Sequence, residues 1–412
     1  MWQSVGVGGV LQPPPKWSCK VIHTTTRRCK VNNNAGAESK CENEDESGSA
    51  RRVPPSLPHT VRLRLAAFAT TQRSDGGIRT NLFSLGDLKA SASLRPGAHG
   101  VRSTDITMDA SHGLWARVFF PAPASVTMDD DDDPLPLLII VYFHGGGFVL
   151  FSAACRLYDS LCRRLCRHLR AVIVSVNYRL APHHRFPAAY DDGVTALRYL
   201  NTNALSLSLP ADLPVVDYSS CFIAGDSAGG NIAHHVAHRW ASSMTSSSSS
   251  MKMTNLHIAG VVLIQPLFGS EERTAAELEL ANVCPILTLA TADYCWREFF
   301  PEGASRDHLA AHVRGRDVDF ESFPPVMMIV GGFDLLKDRH VRYVEELMHQ
   351  EGRSKKPVGL SDLSFEYLLL LLTRVVALNL SVAQNVMAKA LCLFNEEEIQ
   401  QRDLLHLDAF EF

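Results

Sequence analysis

The stretch that most constrains this chain is Gly225-Asp226-Ser227-Ala228-Gly229-Gly230-Asn231. The apolar run before it, Cys221-Phe222-Ile223-Ala224, reads as a buried strand, and Ile232-Ala233-His234-His235-Val236-Ala237-His238 after it reads as a helix. A strand that turns straight into a helix through Gly-x-Ser-x-Gly makes a sharp elbow. Glycines sit where the two backbones crowd, and the serine hydroxyl is pushed out at the carboxyl edge of a sheet. The N–H of Ala228, at the helix start, then faces any anion that forms beside Ser227. In a chain this long one such pattern arises by chance about one time in ten, so its weight depends on the flanking sequence.

Downstream of residue 136 the chain alternates continuous apolar runs with helical patterns. Strands are expected at Leu137–Phe143, 172–176, 221–224, Ile258–Ile264 and 326–330, and helices at 154–170, 188–200, after Ser227 and at 337–350. That alternation predicts an α/β fold with a mostly parallel central sheet and helices on both faces. Upstream, 103–108 and 114–119 alternate around the turn Ala110-Ser111-His112-Gly113, an antiparallel hairpin, and 61–71 reads as an amphipathic helix. Residues 1–53 show no hydrophobic period and are expected to be a disordered leader, 54–352 the folded domain, and 353–412 a divergent C-terminal segment.

The 412 residues are 46% hydrophobic, which suffices for a sizeable core, and the net charge of −4 argues against a nucleic-acid partner. The ten cysteines are scattered. Cys162 and Cys166 lie four apart, but no second close pair completes a zinc site, so reduced thiols in a cytoplasmic setting are expected, with no metal and no cofactor. The Asp129–Asp133 run reads as a solvated loop. The leader has no apolar core of a secretory signal. Residues 1–37 carry five basic residues and no acid, so a plastid address is the alternative to the cytoplasm. The Leu-rich stretch 363–394 is interrupted by Arg374, Asn379, Gln384 and Asn385, so stable membrane insertion is not expected.

Two further stretches bear on Ser227. His144-Gly145-Gly146-Gly147-Phe148 follows an expected strand directly, and three glycines let a loop backbone approach a ligand and aim N–H groups at it. Gly145, Gly146, Gly147 and Ala228 are therefore the candidate oxyanion donors, with His144 orienting the loop. Gly331-Gly332-Phe333-Asp334 follows the 326–330 strand, which brings the Asp334 carboxylate to the same sheet edge as Ser227; the alternative is that Asp334 only caps the next helix. Phe148, Phe268, Tyr294 and Trp296 are candidate pocket residues that read equally as core.

Taken together, the His144–Gly147 and Gly225–Asn231 motifs resemble the hormone-sensitive-lipase group of α/β hydrolases, and more narrowly plant carboxylesterases, the group that also contains the gibberellin receptors. Gly100-Val101-Arg102-Ser103-Thr104-Asp105, Asn177-Tyr178-Arg179-Leu180-Ala181-Pro182, the run from Arg185 to Asp192 and Asp334-Leu335-Leu336-Lys337-Asp338-Arg339 are similar to the same family. The resemblance implies an α/β-hydrolase fold with a helical N-terminal cap, and a small carboxylic ester as substrate. It gives Ser227 the role of nucleophile and Asp334 that of acid member. The family carries its histidine on a loop soon after the helix that follows the aspartate. Here no histidine stands between His349 and His406, which makes His406 the nearest downstream candidate, with His349 inside a helix. The gibberellin-receptor branch lacks that histidine and binds its ligand without hydrolysis, so a catalytically weak relative acting as a small-molecule receptor is the alternative to an esterase. That branch uses its N-terminal segment as a lid that meets a partner protein, whereas the leader here shows no helical period before residue 54.

Overall fold

The computed structural model describes residues 20–21, 68–97, 100–122, 136–213, 215–245, 255–281, 287–319, 322–332 and 334–350. The expected C-terminal segment with His406, the Asp129–Asp133 loop, most of the leader and residues 61–67 of the first expected helix lie outside them. Residues 68–71 are helical, and a short helix, Thr80–Gly86 (α1), follows; these are the described part of the expected cap.

The strands are β1 (Lys20–Val21), β2 (Val101–Asp109), β3 (Leu114–Pro121), β4 (Leu137–Phe143), β5 (Val172–Asn177), β6 (Val216–Asp226), β7 (Ile258–Ile264) and β8 (Val326–Ile329). They form one sheet in the order β1-β8-β7-β6-β4-β5-β3-β2. β2 and β3 make the expected antiparallel hairpin, β3 runs antiparallel to β5, and every other pairing is parallel. Of the expected leader, Lys20 and Val21 are described, beside Met327 and Met328 at the β8 edge.

Continuous apolar strands need cover on both faces. On one face, helix α2 (Arg156–Leu169) buries Tyr158, Leu161, Cys162, Leu165, Cys166 and Leu169, a stripe at three- and four-residue spacing, against Phe119, Ile140, Tyr142, Ile173 and Phe222. It ends at Arg170 in the left-handed region (φ 46°). Arg117 of β3 ties the helix down, bonding Asp105 at 2.7 Å and Asp159 at 3.3 Å. On the other face α3 (Ala188–Asn201), a short α4 (Ala204–Ser208) and α5 (Ala228–Thr245) bury Leu197, Leu200, Ile232, Val236 and Trp240 with the inner halves of β4 to β7. The helix after the elbow runs on to Thr245, with Trp240 and Ala241 still facing the core.

Four helices were not among those expected from the sequence: α1, α4 and the two that follow α5. α6 (Ala275–Glu279) is short and held by a capping box between Thr274 and Glu277. α7 (Leu289–Phe299) buries Cys295, Trp296 and Phe299 against the His144 loop. The last described helix, α8 (Lys337–Gln350), follows the Asp334 turn. Cys155, Cys162, Cys166, Cys221 and Cys295 are buried free thiols. No helix among the described residues is long and apolar enough to cross a membrane.

Candidate active site

Register places the site. Phe143, the last residue of β4, stands opposite Gly225 of β6; Asp226 stands opposite Ile264 of β7, and Ile264 opposite Ile329 of β8. The chain therefore leaves four adjacent strands at one edge, and the loops of His144, Ser227, Gln265 and Asp334 open side by side.

Ser227 sits at the tip of the elbow with φ 52°, a left-handed conformation that costs a non-glycine residue roughly 1 kcal/mol or more. Its backbone is held on both sides: its N–H donates to the Ile264 carbonyl at 2.9 Å, and its carbonyl accepts from Leu267 at 2.8 Å and Asn231 at 3.1 Å. The flanking glycines answer to crowding. A Cβ on Gly229 would lie 2.0 Å from the Phe143 carbonyl oxygen, and one on Gly225 would lie 2.3 Å from that of Gly229. Asn231 is fully buried and satisfied, donating to the carbonyls of Leu267 and Ala310 and accepting from Tyr190. The Ser227 side chain is half-buried, and its hydroxyl has no hydrogen-bond partner among the described residues.

The glycine loop turns through Gly146 (φ 107°), Gly147 (φ 62°) and Phe148 (φ 66°). Phe148 adopts the left-handed region because its ring is clamped on Phe299, 3.8 Å between centroids and 12° from parallel. Cys295 fills the space where a side chain at Gly147 would go. No described residue accepts from the N–H groups of Gly146, Gly147 or Ala228. Gly145 differs: its N–H donates to the Tyr158 hydroxyl at 2.8 Å and to Asp226 at 3.1 Å. The Gly145 N–H is thus engaged within the protein, whereas those of Gly146 and Gly147 have no acceptor among the described residues. His144 is fully buried, stacked on Tyr178, with Nδ1 2.8 Å from the Gly145 carbonyl; burial pulls its pKa down to about 4, so it is neutral and structural.

Asp226 anchors this half of the site. Its carboxylate, buried, accepts from the Tyr142 hydroxyl at 2.8 Å, the Tyr158 hydroxyl at 2.9 Å and the Gly145 N–H. Burial pushes its pKa up to about 6 against these hydrogen bonds. Sequence reading gave Asp226, Tyr142 and Tyr158 no role. Only the position of Asp226 inside the motif was a signal; the tyrosines come from β4 and α2 and are joined to it by the fold alone.

Asp334 follows β8 at the same edge and is buried. Its carboxylate accepts from the Leu336 N–H at 2.9 Å and from the Gln265 side chain, and burial raises its pKa. The capping role and the edge position therefore coexist. His340, one turn into α8, is fully buried, with Nε2 donating to the Pro266 carbonyl at 2.7 Å and Nδ1 facing Asp334 at 3.8 Å without a hydrogen bond. β8 lies two strands from β6, roughly 10 Å across the sheet, so the carboxylate and the Ser227 hydroxyl need a group between them to communicate. Among the described residues no imidazole hydrogen-bonds to Ser227. His349 lies in α8 and His406 outside the described residues. Phe148, Phe268 and Trp296 are core residues at 2% exposure or less, and Tyr294 is half-buried.

A model of the alpha/beta hydrolase fold matches residues 140–359. A gibberellin receptor of Arabidopsis thaliana is 36% identical over 312 residues, covering 74% of this chain and 85% of the receptor. A probable carboxylesterase of the same plant is 37% identical over 243 residues, 59% of this chain and 68% of that one. Among solved structures, a hyperthermophilic esterase from the archaeon Pyrobaculum calidifontis superposes with a TM-score of 0.59 at 27% identity, covering 82% of this chain and 99% of the esterase. The chain belongs to the alpha/beta hydrolase family, in the group of plant carboxylesterases and gibberellin receptors.

Proposed function

We propose that the protein is a carboxylesterase that hydrolyses small carboxylic esters through an acyl intermediate on Ser227. The observation that carries this reading is the elbow itself: Ser227 held at φ 52°, beside three N–H groups, of Gly146, Gly147 and Ala228, and among the described residues neither the hydroxyl nor these N–H groups has a partner. Such a frame is costly to build and is suited to a negative charge that appears only during reaction. In the proposed sequence the Ser227 oxygen attacks the ester carbonyl as its proton passes to an imidazole. The carbonyl oxygen becomes an oxyanion facing the three N–H groups. Collapse breaks the acyl–oxygen bond, and the imidazole returns the proton to the departing alcohol. Water then enters by the same route and releases the acid. We assign the imidazole to His406 and its orientation to Asp334. A solved relative that carries esterase in its name and spans 82% of this chain supports the reading.

A second reading rests on the acid side. Among the described residues Asp334 faces His340 and no imidazole reaches both it and Ser227, and a relative named as a gibberellin receptor matches 74% of the chain. On that reading the site binds a small gibberellin-like ligand without turnover. The experiment that separates them is hydrolysis of p-nitrophenyl acetate together with fluorophosphonate labelling and peptide mapping. The esterase reading expects turnover and an adduct on Ser227, both lost in Ser227→Ala. Neither turnover nor adduct in the folded wild type would sink it.

A further inference from the structure

The catalytic loop and the nucleophile elbow touch through one buried carboxylate, and that contact is built from four elements. Asp226 closes β6, Tyr142 lies on β4, Tyr158 on α2, and Gly145 in the loop after β4. Tyr142 is 1%, Tyr158 2% and Asp226 4% exposed, so water does not compete for these bonds. The Tyr158 hydroxyl accepts from Gly145 and donates to one Asp226 oxygen, while the other oxygen accepts from both Tyr142 and Gly145. Every donor pointing at the carboxylate is therefore used, and the Gly145 N–H is fixed from two sides. A Cβ on Gly145 would fall 2.4 Å from Asp226, so the glycine is what lets the loop come this close.

We propose that Asp226, in its carboxylate form and acting with Tyr158 and Tyr142, is the positioning residue that fixes the oxyanion loop against the nucleophile elbow. Gly146 and Gly147 follow Gly145 without a residue between, so the direction of their N–H groups is set by where Gly145 is pinned. The proposal rests on the esterase reading for its consequence in catalysis, but not for the contact itself. A proton on Asp226 would turn one acceptor oxygen into a donor. Tyr158 would then have to reverse its hydroxyl, and the two-sided hold on Gly145 would loosen. The groups facing the carboxylate are Tyr142, Tyr158 and, further off, Cys162 on α2 and Tyr178 after β5, all neutral near pH 7; neutral His144 stacks on Tyr178 and lies tilted against Tyr158. No basic side chain pairs with Asp226 among the described residues, which leaves its ionisation, centred near pH 6, to be governed by burial against these hydrogen bonds.

The test uses the full chain and two conservative variants, Asp226→Asn and Tyr158→Phe, read by amide hydrogen exchange across residues 143–148 and by p-nitrophenyl acetate kinetics at pH 5 and pH 7.5. Both variants are expected to speed exchange at Gly145 at pH 7.5 and to lower kcat by about 10–10²-fold with KM nearly unchanged, because misdirected donors cost the transition state more than the ground state. The decisive reading is the ratio of wild-type to Asp226→Asn activity. It should approach one at pH 5, where the wild type is itself protonated, and open to the full difference at pH 7.5. A ratio independent of pH, or a Gly145 amide that exchanges at the wild-type rate in both variants, would overturn the proposal. Should Asp226→Asn fail to fold, Tyr158→Phe carries the exchange and kcat readings alone. A wild type with no turnover would count against the esterase reading, while the exchange data would still decide whether Asp226 holds the loop.

Discussion

Asp226 and Asp334 are both buried carboxylates at the carboxyl edge of the sheet, at the ends of strands separated only by β7. The fold treats them differently. Asp226 collects Tyr142, Tyr158 and the Gly145 N–H, all within 3.1 Å. Asp334 has the Leu336 N–H and Gln265, and the nearest imidazole among the described residues stops at 3.8 Å. In both, burial raises the pKa, and only the remainder of the shell decides how well the charge is held. The half proposed to stabilise charge is thus pre-arranged, whereas in the half proposed to move a proton no described imidazole hydrogen-bonds to the carboxylate.

The largest expected effect joins the two halves. If His406 supplies the missing imidazole, His406→Ala should lose about 10⁴–10⁶ in kcat, as badly as Ser227→Ala, because members of a triad act as a unit. Steady-state hydrolysis by the two single variants and the double variant checks this: the double should be no worse than either single. A robust wild-type esterase indifferent to His406→Ala would hand the base to another residue.

The next effect belongs to the pre-arranged half alone. Gly146→Val should lower kcat by about 10²–10³, the usual loss for one oxyanion donor. The same substitution forces a branched residue to φ 107° with its Cβ 2.5 Å from the Leu150 carbonyl oxygen, so a cost in stability of about 1–3 kcal/mol should accompany it. Kinetics and thermal melts on the same preparation separate the two. Undiminished kcat in a folded Gly146→Val protein would remove this loop from the site.

How much of this was legible in the sequence follows the same division. Apolar strands alternating with helices, the crowding that demands Gly225 and Gly229, and the position of Asp334 after β8 are all local in sequence, and local signals survive being read one window at a time. The hairpin, β4, β5 and β7 fall where alternation and apolar runs put them. The Asp226 shell is not local: Tyr142 and Tyr158 stand 84 and 68 residues from it along the chain and meet it only through the order β6-β4-β5 and the seating of α2. The diversion of the Gly145 N–H depends on those tyrosines, so nothing in the His144–Gly147 string separates Gly145 from Gly146. His340 shows the same limit. Its spacing marks a core position of α8, but its approach to Asp334 and Pro266 is set by tertiary packing.

A third measurement compares the two carboxylates through stability. Asp226 has its pKa raised from 3.8 to about 6, so its contribution is full below about pH 4 and is lost as the pH rises through 6. Asp226→Asn carries no such loss. The stability of Asp226→Asn relative to wild type should therefore improve between pH 4 and pH 7 by on the order of 3 kcal/mol. Urea unfolding of both proteins at the two pH values reads the difference, and a constant difference would mean that Asp226 titrates at its ordinary value.

The smallest effect sharpens the Asp334 side. Burial lowers the pKa of His340, so at pH 7.5 the ring is neutral, with its Nε2–H given to the Pro266 carbonyl at 2.7 Å and its Nδ1 lone pair turned to Asp334 at 3.8 Å. At that pH it holds the turn after β7 through the Pro266 bond and not through charge. In His340→Phe a ring is kept but the buried Pro266 carbonyl loses its donor, and a destabilisation of about 1 kcal/mol is expected at pH 7.5. In His340→Gln the amide can still donate to that carbonyl, and most of the loss should be recovered. Thermal unfolding of the two variants beside the wild type checks it. An equal deficit in both would show that His340 serves packing alone.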